Sequence, residues 1–270
     1  MRKGRWATVA AAAIAALAVV SAGCGGGASN ALSLDPVANA ATKTQQAGAA
    51  KIRFSLSTRR HGDVHGTGVI DGTSGEFNFT LGSLGSMSEI FLEQHGDYVL
   101  YMQMPQLSAQ LPAGKHWIEL DVTKLGKAAG LDLSKLMSGA QFQPSDLLSM
   151  LRGEGAKVRN LGAATVDGSA TTHYRVTIDP AKALQAKGLA SPLLAAAAAK
   201  LPASIPADVW IGTDGLVRRA RVALGTGEGR VAMTMDLYDY GTDAAIAAPP
   251  SSDVFDATQL AQAGMSGYSG

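Results

Sequence analysis

His61 and His65, with Asp63 between them, are the residues of this chain that come nearest to a metal ligand set. They fall at a turn and at the start of a strand, and no helix holds them at the i, i+4 spacing of a zinc motif. His95, His116 and His173 stand singly, so ligand number and geometry are not met. Ser, His and Asp all occur, but no Gly-x-Ser-x-Gly elbow precedes a helix. The glycines from Gly82 to Gly85, and Gly225-Thr226-Gly227-Glu228-Gly229, join strands. They lack the strand–turn–helix context of a phosphate loop and read as turns. The sequence therefore offers no catalytic residue, no metal site and no cofactor site, and an enzyme is not expected.

Arg218, Arg219 and Arg221 concentrate positive charge on one strand. A solvated sheet face is the expected setting. Contact with anionic headgroups, at about 1 kcal/mol per basic residue, is the functional alternative. Tyr98, Tyr101, Trp117, Tyr174, Trp210, Tyr238 and Tyr240 all lie on strands, as half-buried sheet packing does more often than a ligand cage. The formal net charge is +1. Residues 24–270 carry 20 basic against 22 acidic residues, a balance that does not favour nucleic acid, which needs concentrated positive charge.

Cys24 is the single cysteine, so no intrachain disulfide framework exists. Met1-Arg2-Lys3-Gly4-Arg5 is a short basic head, and Trp6 to Val20 is an apolar run. That run is short of the ~20 residues of a spanning helix and reads as the core of an export signal. Ser21-Ala22-Gly23-Cys24 closes it and resembles a bacterial lipobox, with Ala22 and Gly23 at the small positions, cleavage after Gly23 and lipidation on Cys24. Ser21 stands where an aliphatic residue is usual. Gly25-Gly26-Gly27-Ala28-Ser29-Asn30 then reads as a flexible tether. A free thiol in an exported protein is a liability, and more than one acyl chain is needed for stable anchoring.

The elements that follow are mostly strands. Asp35 caps and Pro36 opens an Ala-rich helix to Ala50. Strict alternation then puts Ile52, Phe54 and Leu56 on one face. Further strands are expected at 64–71, 75–81, 88–94, 98–104 and 115–123, with Ile118, Leu120 and Val122 sharing a face. Asp167-Gly168 signals a hairpin between 157–166 and 171–179. Strands at 208–212, 216–224 and 230–240 follow, the last presenting Val231, Met233, Met235 and Leu237 on one side. Consecutive strands with short Gly/Asp turns mean an antiparallel meander.

Apolar helical stretches interrupt it at 123–137, 143–152, 181–187 and 192–201. They carry Leu136, Leu147, Leu148, Leu151, Leu193 and Leu194. A one-faced sheet of about ten strands curls, and helices on its concave side would bury both. Incomplete packing there would leave an apolar pocket for an acyl chain. Methionines on the strands suit irregular space. Phe54, Leu56, Leu120, Met233 and Met235, with the helix leucines just named, are the candidate lining.

Tyr101-Met102-Gln103-Met104-Pro105, Lys115-His116-Trp117-Ile118-Glu119-Leu120-Asp121, Val166-Asp167-Gly168 and Thr172-His173-Tyr174 share a further property. Together with Pro206-Ala207-Asp208-Val209-Trp210-Ile211 and Asp214-Gly215-Leu216-Val217-Arg218-Arg219, they resemble the LolA-like lipoproteins, within them the actinobacterial LppX/LprG group. The resemblance implies an α+β fold, a curved antiparallel half-barrel of ten to eleven strands with helices on its concave face. It also implies binding of lipids or lipoglycans and their carriage toward the outer envelope, and it brings no catalytic residues.

The resulting expectation is a signal peptide at 1–23, a lipidated Cys24 and tether at 24–34, a lipid-binding domain at 35–245 and an extended tail at 246–270. The chain would be a monomer, extracytoplasmic and lipid-anchored to the outer face of the cell membrane. The rival expectation is an envelope sensor or interaction module, with the same fold, a filled core and a protein partner.

Overall fold

The computed structural model describes residues 36–58, 62–128, 158–179, 199, 202–226 and 229–266. The signal, Cys24 and the tether lie outside them, as do the expected helices at 143–152 and 181–187 and most of those at 123–137 and 192–201.

The first described element is α1 (Pro36–Gln46). Proline fits its first turn because the N–H it lacks would have no intrahelical partner there. Val37, Ala38 and Ala40 are buried.

Twelve strands then form one sheet. They are β1 (Ala50–Thr58), β2 (Gly62–Asp71), β3 (Ser74–Thr80), β4 (Ser86–Gln94), β5 (Asp97–Gln103) and β6 (Trp117–Asp121), followed by β7 (Val158–Val166), β8 (Ser169–Ile178), β9 (Ile205–Gly212), β10 (Val217–Thr226), β11 (Gly229–Tyr238) and β12 (Val254–Asp256). Their spatial order is β12-β6-β5-β4-β3-β2-β1-β11-β10-β9-β8-β7. The sheet is open and antiparallel except at β12, which pairs parallel with β6. It forms the curved half-barrel that the sequence implies.

The topology is two meanders meeting at one seam. The chain steps outward from β1 to β6, then re-enters at the opposite edge as β7 and steps back to β11, which pairs with β1. Local turn chemistry sets each step. At β4–β5 and β7–β8, His95-Gly96 and Asp167-Gly168 both have positive φ at two consecutive residues. That is the hand a two-residue hairpin needs to match strand twist.

Two short helices and a docked tail complete the described fold. Helix α2 (Val122–Ala128) follows β6 directly, and the Asp121 carboxylate accepts from Lys124 N–H at 2.8 Å. The C-terminal segment differs from the extended tail expected of it. Beyond Pro249-Pro250 it makes a single 3-10 turn, then β12, then α3 (Thr258–Ser266). Backbone bonds from His116 N–H to Asp253 O and from Ala257 N–H to Glu119 O, each 3.0 Å, stitch it to β6. An apolar cluster explains why it docks. Ile90, Leu92, Val99 and Tyr101 are buried, and Trp117, Ile246 and Val254 pack on them.

Candidate functional site

Pairing register decides which side chains share a face, because partners directly opposite in an antiparallel ladder point the same way. Phe54 lies opposite Met235 and Gly66, and Leu56 opposite Met233 and Val64. Phe79 and Met87 extend the first of these rows. Ala220, Val209 and Tyr174 extend it the other way. Leu120 joins a neighbouring row through Leu100, Phe91 and Gly75. The five described candidates are thus on one apolar face that runs from β6 to β7. The other six, Leu136, Leu147, Leu148, Leu151, Leu193 and Leu194, lie outside the described residues.

Cover on this face is uneven. Over β8 and β9, α1 lays Val37 and Ala40 on Val176 and Ile211. Val217 N–H donates to Thr44 Oγ1 at 2.9 Å and ties the helix down. At the seam, Ile52 and Leu237 are buried. Phe54, Leu56, Met233 and Met235 beside them are only half-buried, as is Leu120.

Glycines let aromatic rings lie flat over β2. A Cβ on Gly66 would run into the Phe79 ring, and one on Gly68 would meet the Glu76 carbonyl. Phe79 packs edge-on to Phe54, centroids 6.0 Å apart, and stacks with Phe77 at 5.9 Å. Such pairs prefer these two geometries because of the ring quadrupole.

One carboxyl interrupts the apolar face. Glu89 lies opposite Phe77 on β3 and Met102 on β5, in the row that also holds Leu237, Ile52, Gly68 and Ile118. It is 6% exposed. Burial pushes its pKa from 4.5 to about 7, and no hydrogen bond or charge offsets that among the described residues. Sequence reasoning missed it. The signal available was Met87-x-Glu89-x-Phe91, but Ile90 and Leu92 compete for the apolar phase of the same strand.

The opposite face is apolar on β4 and β5, where Ile90, Leu92, Val99 and Tyr101 are buried, and polar with paired charges around the seam and over β8 to β10. Arg219 pairs with Asp236 and reaches Asp167 at 3.7 Å. Arg53 reaches Asp167 at 3.1 Å and Asp236 at 3.7 Å. Asp208 accepts from Arg175 at 2.8 and 3.1 Å and meets His173 Nε2 at 3.0 Å. Burial would raise the Asp208 pKa, but Arg175 and His173 outweigh it and hold the carboxyl below its ordinary value. A shallow open cleft of about 270 Å³ on this face is lined by Arg53, Ser55, His65, Thr67, Asn78 and Asp236, among others. Arg218, by contrast, pairs with Asp214 and lies over the Tyr240 ring.

The histidines do not converge. His65 lines that cleft and His61 is outside the described residues. His116 is engaged by Asp253, and His173 stacks on Trp210 at 4.2 Å.

Geometrically, then, this is an open half-barrel with an apolar face incompletely covered at its seam and an opposite face that is polar except over β4 to β6, where the C-terminal segment packs. No family model matches the chain. A protein of Streptomyces griseus, described as an uncharacterized 31.2 kDa protein in the rplA-rplJ intergenic region, is 27% identical over 227 residues, 77% of this chain and 72% of that protein. Among solved structures, the chain is similar to the lipoprotein LppX of Mycobacterium tuberculosis, with 14% identity, a TM-score of 0.44 and coverage of 79% of this chain and 100% of that one. LprF of Mycobacterium bovis gives 14% identity, a TM-score of 0.43 and coverage of 80% and 99%. The MucA/MucB complex of Pseudomonas aeruginosa gives 13% identity, a TM-score of 0.34 and coverage of 81% and 57%.

Proposed function

We propose that this chain is a lipoprotein of the LolA-like, LppX/LprG kind that binds acyl lipids or lipoglycans on its apolar sheet face. It carries them across the cell envelope without catalysis. Residues 1–23 act as the export signal, and acylated Cys24 holds the chain on the outer face of the membrane through the 24–34 tether. Binding is hydrophobic transfer, at ~0.8 kcal/mol per buried CH₂.

The observation that carries this reading is the apolar face that runs from β6 to β7, broken on β4 by Glu89. At its central seam Phe54, Leu56, Met233 and Met235 are left half-buried. An apolar sheet face whose middle is left partly open suits the reception of apolar material. The leucines at 136, 147, 148, 151, 193 and 194 are assigned to the far wall of the same site.

Mass spectrometry of the chain purified from its host tests both halves. Under denaturing conditions the mass should retain acyl chains on Cys24. Under native conditions a second, solvent-extractable mass of lipid size should appear. A clean native mass that stays unchanged after incubation with host lipids would overturn the carrier. It would favour the envelope sensor or interaction module instead.

A further inference from the structure

We propose that the cleft over β1, β2 and β3, on the polar side of the seam, is a second binding site, and that it takes one ring of an uncharged sugar polymer. It lies on the opposite side of the sheet from the apolar face and does not depend on the carrier reading.

Register brings the cleft together from two adjacent cross-strand rows. Arg53, Thr67 and Asn78 stand opposite one another in the first, and Ser55, His65 and Thr80 in the second. All of them except Ser55 are exposed. Asp236 ends the first row beyond Arg53. Phe54 and Gly66 also border the cleft, but by register they belong to the apolar face. The space enclosed is about 270 Å³. That is below the roughly 300 Å³ at which pockets for drug-sized ligands begin, so it suits a single ring.

The planar groups at the two ends of the first row are held in place. Asp236 is 8% exposed and accepts from Arg219 Nε and Nη2. It sits 3.7 Å from Arg53 Nη1, which donates to Asp167 at 3.1 Å. One guanidinium nitrogen is thus given to the two acids, and Nε and Nη2 remain for a ligand. At the other end Ser88 Oγ donates to Asn78 Oδ1 at 2.8 Å, which orients the amide and leaves its N–H groups as donors. Planar groups fixed by a second partner lose little freedom when they bind. Charge then selects the ligand. Arg53 and Arg219 face Asp236 and Asp167, two cations against two anions, so no surplus charge is offered to a phosphate or carboxylate. An apolar ligand would cover the hydroxyls and the amide without replacing their bonds to water. The hydroxyls on neighbouring carbons of a sugar both donate and accept, as do those of Ser55, Thr67 and Thr80, and they carry no charge.

The test is affinity electrophoresis of the full chain through native gels containing mannan, galactan or dextran, with dextran sulfate as the anionic comparison. The three neutral polymers differ in the arrangement of their ring hydroxyls, and each presents many copies of its ring, which makes a weak single-ring site readable. At least one of them should retard the protein, equally at about 50 and about 500 mM NaCl, because no charge is being screened. Asn78→Ala and Thr67→Val should each raise the apparent dissociation constant about tenfold, the ratio one net hydrogen bond supplies. Both positions are exposed, so thermal unfolding should match wild type. Arg221→Ala, exposed on the same face but outside the cleft, should leave retardation unchanged.

Free passage through all three neutral polymers would overturn the sugar site. So would retardation by dextran sulfate alone that disappears with salt, which would make the cleft an anion site. Retardation that survives Asn78→Ala and Thr67→Val, or that falls as much in Arg221→Ala, would also overturn it. The lipid mass seen by native mass spectrometry is read separately, so the carrier stands or falls on its own.

Discussion

Between pH 4.5 and about 7 the Glu89 side chain works against folding. In the unfolded chain it ionises freely over this range, whereas in the native apolar face burial keeps it protonated. The native state then binds more protons than the unfolded state, so stability falls as the pH rises. The penalty is absent below the unfolded pKa and fully present above the native one. The interval amounts to about 3 kcal/mol. Glu89→Gln keeps the shape and removes the titration. Its unfolding free energy should match wild type near pH 4 and exceed it by up to about 3 kcal/mol at pH 8, read from urea titrations at both pH values. An equal difference at both would mean that Glu89 is already ionised in the native state. The residue was hard to see in the sequence for a physical reason. Ser86–Gln94 and Asp97–Gln103 are apolar on both faces, so alternation there has no single phase, and a lone acid in such a strand is assigned to solvent by default.

At the scale of elements, most of what the sequence specifies is local. The Asp167-Gly168 hairpin, the Pro36 helix start and the alternation of Ile52, Phe54 and Leu56 each depend on neighbours within a few residues, and each was legible. The C-terminal strap was not. Its sequence after Pro249-Pro250 has no period of its own. It is ordered by partners over a hundred residues away, through the His116, Glu119 and Asp121 backbone and the apolar outer side of β4 and β5. A single hydroxyl tests how firmly it is held. Buried Thr258 accepts the Asp121 N–H at 2.9 Å, and its own N–H donates to Asp256 Oδ1 at 2.8 Å at the start of α3. Thr258→Val keeps the volume and strands the Asp121 donor in a buried position. The expected cost is about 1–3 kcal/mol, read as a lower urea midpoint with an unchanged slope. A reduced slope would instead mean that the strap detaches before the rest of the sheet unfolds.

For the whole molecule the decisive pairing is the seam, where β1 meets β11 and Lys51 stands opposite Tyr238. Two meanders that are each locally specified are joined here by contacts remote in sequence, and no turn signal encodes such a junction. The same junction brings Leu56 and Met233 side by side on the apolar face while leaving both half-buried. If this part of the sheet is a receiving surface, a charge there should block loading at little cost to folding, because the new side chain can reach water. If it is ordinary core, the same charge should unfold the protein. Ile52, two residues from Phe54 and 2% exposed, supplies the reference for true core, where truncation to Ala costs roughly 2–5 kcal/mol. We expect Met233→Glu to remove the lipid mass seen by native mass spectrometry while leaving thermal unfolding close to wild type. Ile52→Ala should lower the melting temperature by several degrees and keep the lipid mass in whatever fraction remains folded. Should Met233→Glu melt as early as Ile52→Ala, the seam is packed interior and the lipid must lie elsewhere on the chain.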